Sequence, residues 1–128
     1  MEEPREGETV TYERTFIAEE GQQFADLSGD AQPRHTEPNE DGRVMVHGLL
    51  TATIPTKSGG DREVMAPRMG FEFLQSVYTG ERVICFATDD KVVKRDARYE
   101  ITWDVVCENE AGEAVLNATI DGISWKDF

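Results

Sequence analysis

The chain has 128 residues, enough for one domain with one core and too few for two. Its 26 acidic and 13 basic residues give a formal charge of −13, which argues against nucleic acid or an anionic membrane as a partner. No apolar run reaches membrane-spanning length, and the opening MEEPREGE is acidic and polar, unlike a signal peptide, so a cytoplasmic protein is expected.

Taken in order, residues 1–8 are charged and aperiodic and read as a loose lead-in. Val10, Tyr12 and Phe16 fall on even positions, the period of a first strand. Ala18 to Ser28 predicts a short helix: Phe24 and Leu27 share a face, Glu19 and Glu20 suit its N-terminal end, and Gly29 suits the position just past it. Its N-cap is poor, because Ile17 stands where Ser, Thr or Asp would be expected. Pro33 makes Asp30 to His35 a loop.

From His47 to about Lys57 the residues are apolar or small all round, the pattern of a buried helix. Pro55 should kink or end it, and Ser58-Gly59-Gly60-Asp61 should stop it. The remainder reads as sheet. Met69, Phe71, Phe73 and Val77 alternate, Tyr78 to Glu81 turns the chain, and Val83 to Thr88 follows as a strand. Asp89-Asp90-Lys91 is read as a loop and Lys94-Arg95-Asp96 as a bulge or exposed bend. Tyr99, Ile101, Trp103, Val105 and Cys107 form the cleanest period-two run, and a turn at Glu108–Glu113 leads into Ala114 to Trp125. Phe71, Phe73, Tyr99 and Trp103 are read as core aromatics.

An antiparallel sheet with one apolar face must bury that face, and the one strongly apolar helix is the segment beginning near His47. The pattern therefore predicts an α+β domain, a five-stranded antiparallel sheet wrapped around a central helix. Cys85 and Cys107 lie inside strand-like runs without metal-ligand spacing, and are read as two buried reduced thiols. Only four of the basic residues are lysine (Lys57, Lys91, Lys94 and Lys126), and the acids are scattered. A low-lysine, carboxylate-coated surface resembles that of halophilic proteins.

The chemistry concentrates between Ser28 and Leu50, which holds both histidines, His35 and His47. A loop carrying Asp30 and His35 can bring a carboxylate and an imidazole to one small volume, as proton transfer on a bound water requires. Alone, Asp30 equally suits a turn after a helix, and Gly48 equally suits a tight helix start.

The motif Leu27-Ser28-Gly29-Asp30-x-x-Pro33-x-His35, followed by His47-Gly48-Leu49-Leu50-Thr51-Ala52, resembles the MaoC-like dehydratases, the (R)-specific enoyl-CoA hydratases of the hotdog fold. Phe71-x-Phe73 and Val77-x-x-Gly80-Glu81 resemble the family's strand and turn after the central helix. The resemblance implies that Asp30 and His35 form the catalytic pair and that the Gly48 amide binds the thioester oxygen. Gln32 stands where the family usually has asparagine, Arg34 where it has an aliphatic residue, and the 36–46 segment is shorter than usual. Gln32, Arg34, Arg43, His47 and Thr56 are the substrate-side residues so implied, with His47 also expected to fix the loop. Arg34, Arg43, Lys57 and Arg68 are candidates for coenzyme A phosphates. The resemblance further implies a homodimer, an acyl-CoA substrate, and no metal or cofactor. Two other readings stay open: an acyl-CoA thioesterase, and a non-catalytic acyl-CoA or acyl-carrier binding module.

Overall fold

The structure, a computed structural model, describes residues 3–126. Strand β1 (Thr9–Thr15) leads into helix α1 (Ala18–Ser28), a one-turn helix α2 (Pro33–Thr36), and two successive short helices, α3 (Gly48–Thr51) and α4 (Thr53–Asp61). Four strands follow: β2 (Met65–Phe73), β3 (Arg82–Lys94), β4 (Arg98–Glu108) and β5 (Ala114–Trp125). All pairings are antiparallel, in the order β1-β3-β4-β5-β2, so β1 and β2 form the two edges. The sheet's inner face presents Val83, Cys85 and Ala87, then Ile101, Trp103, Val105 and Cys107, then Leu116, Ala118 and Ile120, all buried. These pack with Leu50, Ala52 and Ile54 of the helical segment, and with Phe16, Val46 and Val77. This is the hotdog arrangement, a five-stranded antiparallel sheet around a central helix, and the class is α+β. No described helix is long and apolar enough to cross a membrane.

Helix α1 keeps its expected bounds. Its poor N-cap is offset by Glu20, whose Oε1 accepts the Ile17 N–H at 3.0 Å. At its other end Gly29 takes φ 82°, a left-handed conformation that costs a glycine little, and its N–H donates to the Ala25 carbonyl.

Several local expectations are corrected. The central helix breaks at Ala52, one turn ahead of Pro55, because the proline has no N–H for the Thr51 carbonyl and its ring crowds that oxygen. Ser58 to Asp61, expected to stop the helix, lie inside α4. The stop comes at Glu63 (φ 53°), with the Val64 N–H bonded to the Gly59 carbonyl and the Glu63 N–H to that of Gly60. The 89–91 loop is instead part of β3, which bulges between Asp89 and Lys91. Asp89 is buried there, salt-bridged by Arg62 at 2.8 and 2.9 Å and hydrogen-bonded by the Trp103 indole N–H at 2.6 Å. Cys85 and Cys107 are joined as a disulfide rather than held as thiols. They are directly opposed on β3 and β4, with Cα atoms 4.0 Å apart, a register that spacing in the sequence does not reveal.

Residues 1 and 2 of the lead-in lie outside the described residues; the rest of it is tied down rather than loose. The Gly7 N–H donates to the Asp89 carbonyl, the Asp89 N–H to that of Glu8, and the Glu6 carboxylate accepts the Val92 N–H. Val77 lies beyond β2, where its carbonyl accepts the Val46 N–H at 2.8 Å. Of the four aromatics read as core, Trp103 is buried and Phe71 and Tyr99 are packed against the core, but Phe73 is half exposed.

Candidate active site

Three segments build the site: the loop after α1, helix α2, and the start of α3. Gly29 reverses the chain at the end of α1, and the Asp30 N–H then donates to Ser28 Oγ at 3.1 Å. Pro33 occupies the first position of α2, where a missing N–H costs nothing, and places His35 in that single turn. The Met45 N–H donates to the Arg34 carbonyl, which draws the 36–46 segment back against α2.

Asp30 and His35 come together. Oδ2 of Asp30 lies 3.8 Å from Nε2 of His35, too far for a direct hydrogen bond. Nδ1 of His35 is 2.8 Å from the Met45 carbonyl. A carbonyl only accepts, so the neutral ring carries its proton on Nδ1 and turns a bare Nε2 lone pair toward Asp30. The Asp30 carboxylate is held ionised: the Gln32 side-chain N–H, 2.9 Å from Oδ1, lowers its pKa below the ordinary carboxylate range, with smaller help from the Gln32 backbone and the two histidines against partial burial.

His47 is 98% buried on the far side of this pair. Its Nε2 lies 2.8 Å from the Asp30 carbonyl, so that nitrogen carries the proton, and its Nδ1 has no partner among the described residues. The ring stacks on His35 with centroids 3.9 Å apart and planes 17° from parallel, and meets Phe24 of α1 at 4.8 Å on a tilt. Among the described residues Asp30, His35 and His47 are the one group whose ligand atoms cluster as a metal site would require. Their disposition does not suit an ion: metal-ligand bonds lie in the imidazole plane, and two nearly parallel stacked planes do not meet at a common point.

A cavity of about 270 Å³ opens beside the pair. His35, Val46, Gly48, Thr51 and Val77 line it, and the half-exposed Phe73 covers part of it. A methyl group on Gly48 would stand 2.9 Å from the Phe73 ring, so the absence of a side chain keeps that wall open. With α3 reduced to four residues, any attraction at Gly48 rests on its own N–H more than on a long helix dipole.

The other sequence candidates are dispersed. Thr56 sits on α4, its hydroxyl bonded to the Ala52 carbonyl, and does not line the cavity. Thr51, which sequence reasoning passed over, does; its signal was the three-residue step from Gly48 along one helix face. Arg34 is exposed on α2 beside His35. Arg43 lies 4.0 Å from Glu81, by a different cavity. Lys57 is paired with Asp61, and Arg68 stands on β2 opposite Asp121. These four cations form no common patch in the described contacts.

No protein-family model matches the sequence, and a search of curated proteins finds no match. Solved structures do. An (R)-hydratase from A. caviae involved in PHA biosynthesis is similar at TM-score 0.83 and 19% identity, over 95% of this chain and 98% of that one. A MaoC-like dehydratase from Rhodospirillum rubrum is similar at TM-score 0.78 and 17% identity, over 95% and 93%. A complex from Mycobacterium tuberculosis described as a 3R-hydroxyacyl-ACP dehydratase is similar at TM-score 0.72 and 15% identity, over 97% and 100%. At these identities the likeness is one of fold, and the chain is a hotdog domain of the form shared by (R)-hydratases and MaoC-like dehydratases.

Proposed function

We propose that the protein is a hydro-lyase that adds water across a trans-2-enoyl thioester of coenzyme A to give the (R)-3-hydroxyacyl thioester, or runs the reverse. The observation that carries this reading is the gap of 3.8 Å between two acceptors, Asp30 Oδ2 and His35 Nε2, beside a cavity that both His35 and Gly48 line. One water about 2.8 Å from each acceptor would fill that gap and donate a hydrogen to each. Its oxygen lone pairs would then face the cavity. As oxygen bonds to Cβ, an O–H bond breaks toward one of the pair and the C=C electrons move onto the thioester as an enolate. A proton returned to Cα on the same face completes the addition, and the pair ends as it began. The Gly48 N–H would meet the charge developing on the thioester oxygen; one such donor is worth on the order of 3 kcal/mol in a barrier.

The assembly that suits this site is a homodimer through the β2 edge. That strand is unpaired on its outer side and exposes Met65, Met69 and Phe73, with Leu74 beyond it. An edge of this kind is a template for a second strand. Phe73, Leu74, Gln75 and Ser76 line the cavity next to it, so a second copy there would stand close to the acyl group.

Crotonyl-CoA in molar salt tests the reading. Loss of the conjugated-enoyl absorbance without release of free thiol is expected. Thiol release would make the protein a thioesterase instead, and neither signal across several chain lengths would make it a binding module.

A further inference from the structure

We propose that His47 is a positioning residue that holds both members of the Asp30–His35 pair at once, through opposite parts of one uncharged imidazole. The proposal rests on the hydratase reading for its kinetic consequence and on geometry alone for its structural one.

Two independent contacts meet on this ring. At its edge, Nε2–H donates to the Asp30 carbonyl at 2.8 Å, fixing the peptide that follows the carboxylate-bearing Cα. At its face, the ring lies on His35 at 3.9 Å and leaves that side chain one plane of rotation. The Nδ1–H of His35 to Met45 then sets the angle within that plane. The distance between Oδ2 and Nε2 therefore depends in part on one side chain that braces the backbone of Asp30 and the ring of His35 together. Phe24 backs the ring from α1, and the titratable groups facing it are Asp30 and His35.

The protonation pattern follows from the partners. Nδ1 of His47 is buried and has no acceptor among the described residues, so a proton there would be desolvated without compensation. The edge contact needs the proton on Nε2. His35 is the reverse, with the proton on Nδ1 and a bare Nε2. The two stacked rings must thus hold opposite tautomers. His47 is otherwise spare in the mechanism, which makes its near-complete burial without a full set of hydrogen bonds a cost to be explained.

The chain has only two histidines, so nitrogen-15 spectra of the ring nitrogens resolve both directly. At neutral pH the full-length protein should show one ring protonated on Nε2 and one on Nδ1, assigned to His47 and His35 respectively. Two identical tautomers, or the reverse assignment, would overturn the proposal whether or not the protein proves to be a hydratase.

Kinetics supply the second arm. His47→Phe keeps a ring against His35 and removes the donor; His47→Gln keeps a donor at the reach of Nε2 and removes the ring. Misplacing a reacting group by about 1 Å costs roughly 100-fold, so His47→Phe should lower kcat on crotonyl-CoA by that order while KM stays within about threefold. His47→Gln should recover a substantial part of the loss. Activity that tracks only the folded fraction in both variants, or a fully active His47→Phe, would reduce His47 to a packing residue. If the phenylalanine variant does not fold, the tautomer spectra of the unmodified protein decide the question.

Discussion

Asp30 is fixed through its N–H, its carbonyl and its carboxylate at once. Its N–H is bonded to Ser28, its carbonyl to His47 and its carboxylate to Gln32. The resemblance to known motifs points to Asp30 and His35, and Pro33, which starts the single helical turn α2 where a loop was expected, explains how they meet. What the sequence does not contain is Gln32's role, since that depends on a side-chain rotamer reaching back two residues. Because Gln32 stabilises the charged form, the folded-state pKa of Asp30 is depressed. Its contribution to stability is then present above the unfolded value and lost as pH falls through the folded one. Replacing Gln32 by leucine should move the Asp30 carboxyl titration, followed by carbon-13 shifts, upward toward the ordinary carboxylate range. An unmoved titration would show that the histidines, not Gln32, hold the carboxylate ionised.

Elements were easier to foresee than their ends. Period-two alternation from Tyr99 to Cys107 and from Ala114 onward identifies β4 and β5 because one face of each is buried. The bulge in β3 carries the charged run Asp89-Asp90-Lys91, whose sequence reads as a loop. Burial of Asp89 becomes tolerable only when Arg62, 27 residues earlier in the chain, supplies a two-pronged partner and Trp103 a third hydrogen bond. The same long-range logic governs the central helix. The resemblance puts Thr56 on the substrate side, whereas Thr51, on the turn ahead of the break, lines the cavity. Arg62 joins the end of α4 to the β3 bulge, so Asp89→Asn should leave a largely buried guanidinium without its counter-charge. A loss of about 3 kcal/mol is expected, read as a lower midpoint in urea unfolding. An unchanged midpoint would mean that the packing around Trp103, rather than the ion pair, secures this corner.

At the scale of the whole molecule, strand number and element order follow from the sequence pattern, whereas strand order does not. No local signal distinguishes β2 as the edge beside β5, or sets Cys85 opposite Cys107; both depend on pairings between segments far apart in the chain. Charge acts at this scale too. A net −13 on one small domain repels itself most strongly when compact. Screening length falls from about 10 Å at 0.1 M salt to about 3 Å at 1 M, so the thermal midpoint should climb steadily from dilute buffer to molar potassium chloride. Sulfate far outperforming chloride at equal ionic strength would assign the effect to hydrophobic burial instead. A midpoint flat in chloride would remove the halophilic reading and leave the site unaffected.

The site itself is tested most directly by a double-mutant cycle on crotonyl-CoA hydration with Asp30→Asn, His35→Ala and the two combined. A pair that holds one water acts as a unit, so each single change should remove nearly all turnover, on the order of 10³-fold or more, and the double variant should be little worse than either. Circular dichroism should stay that of the folded protein throughout. Two modest losses that multiply in the double variant, in a protein that remains folded, would contradict a shared water between Asp30 and His35.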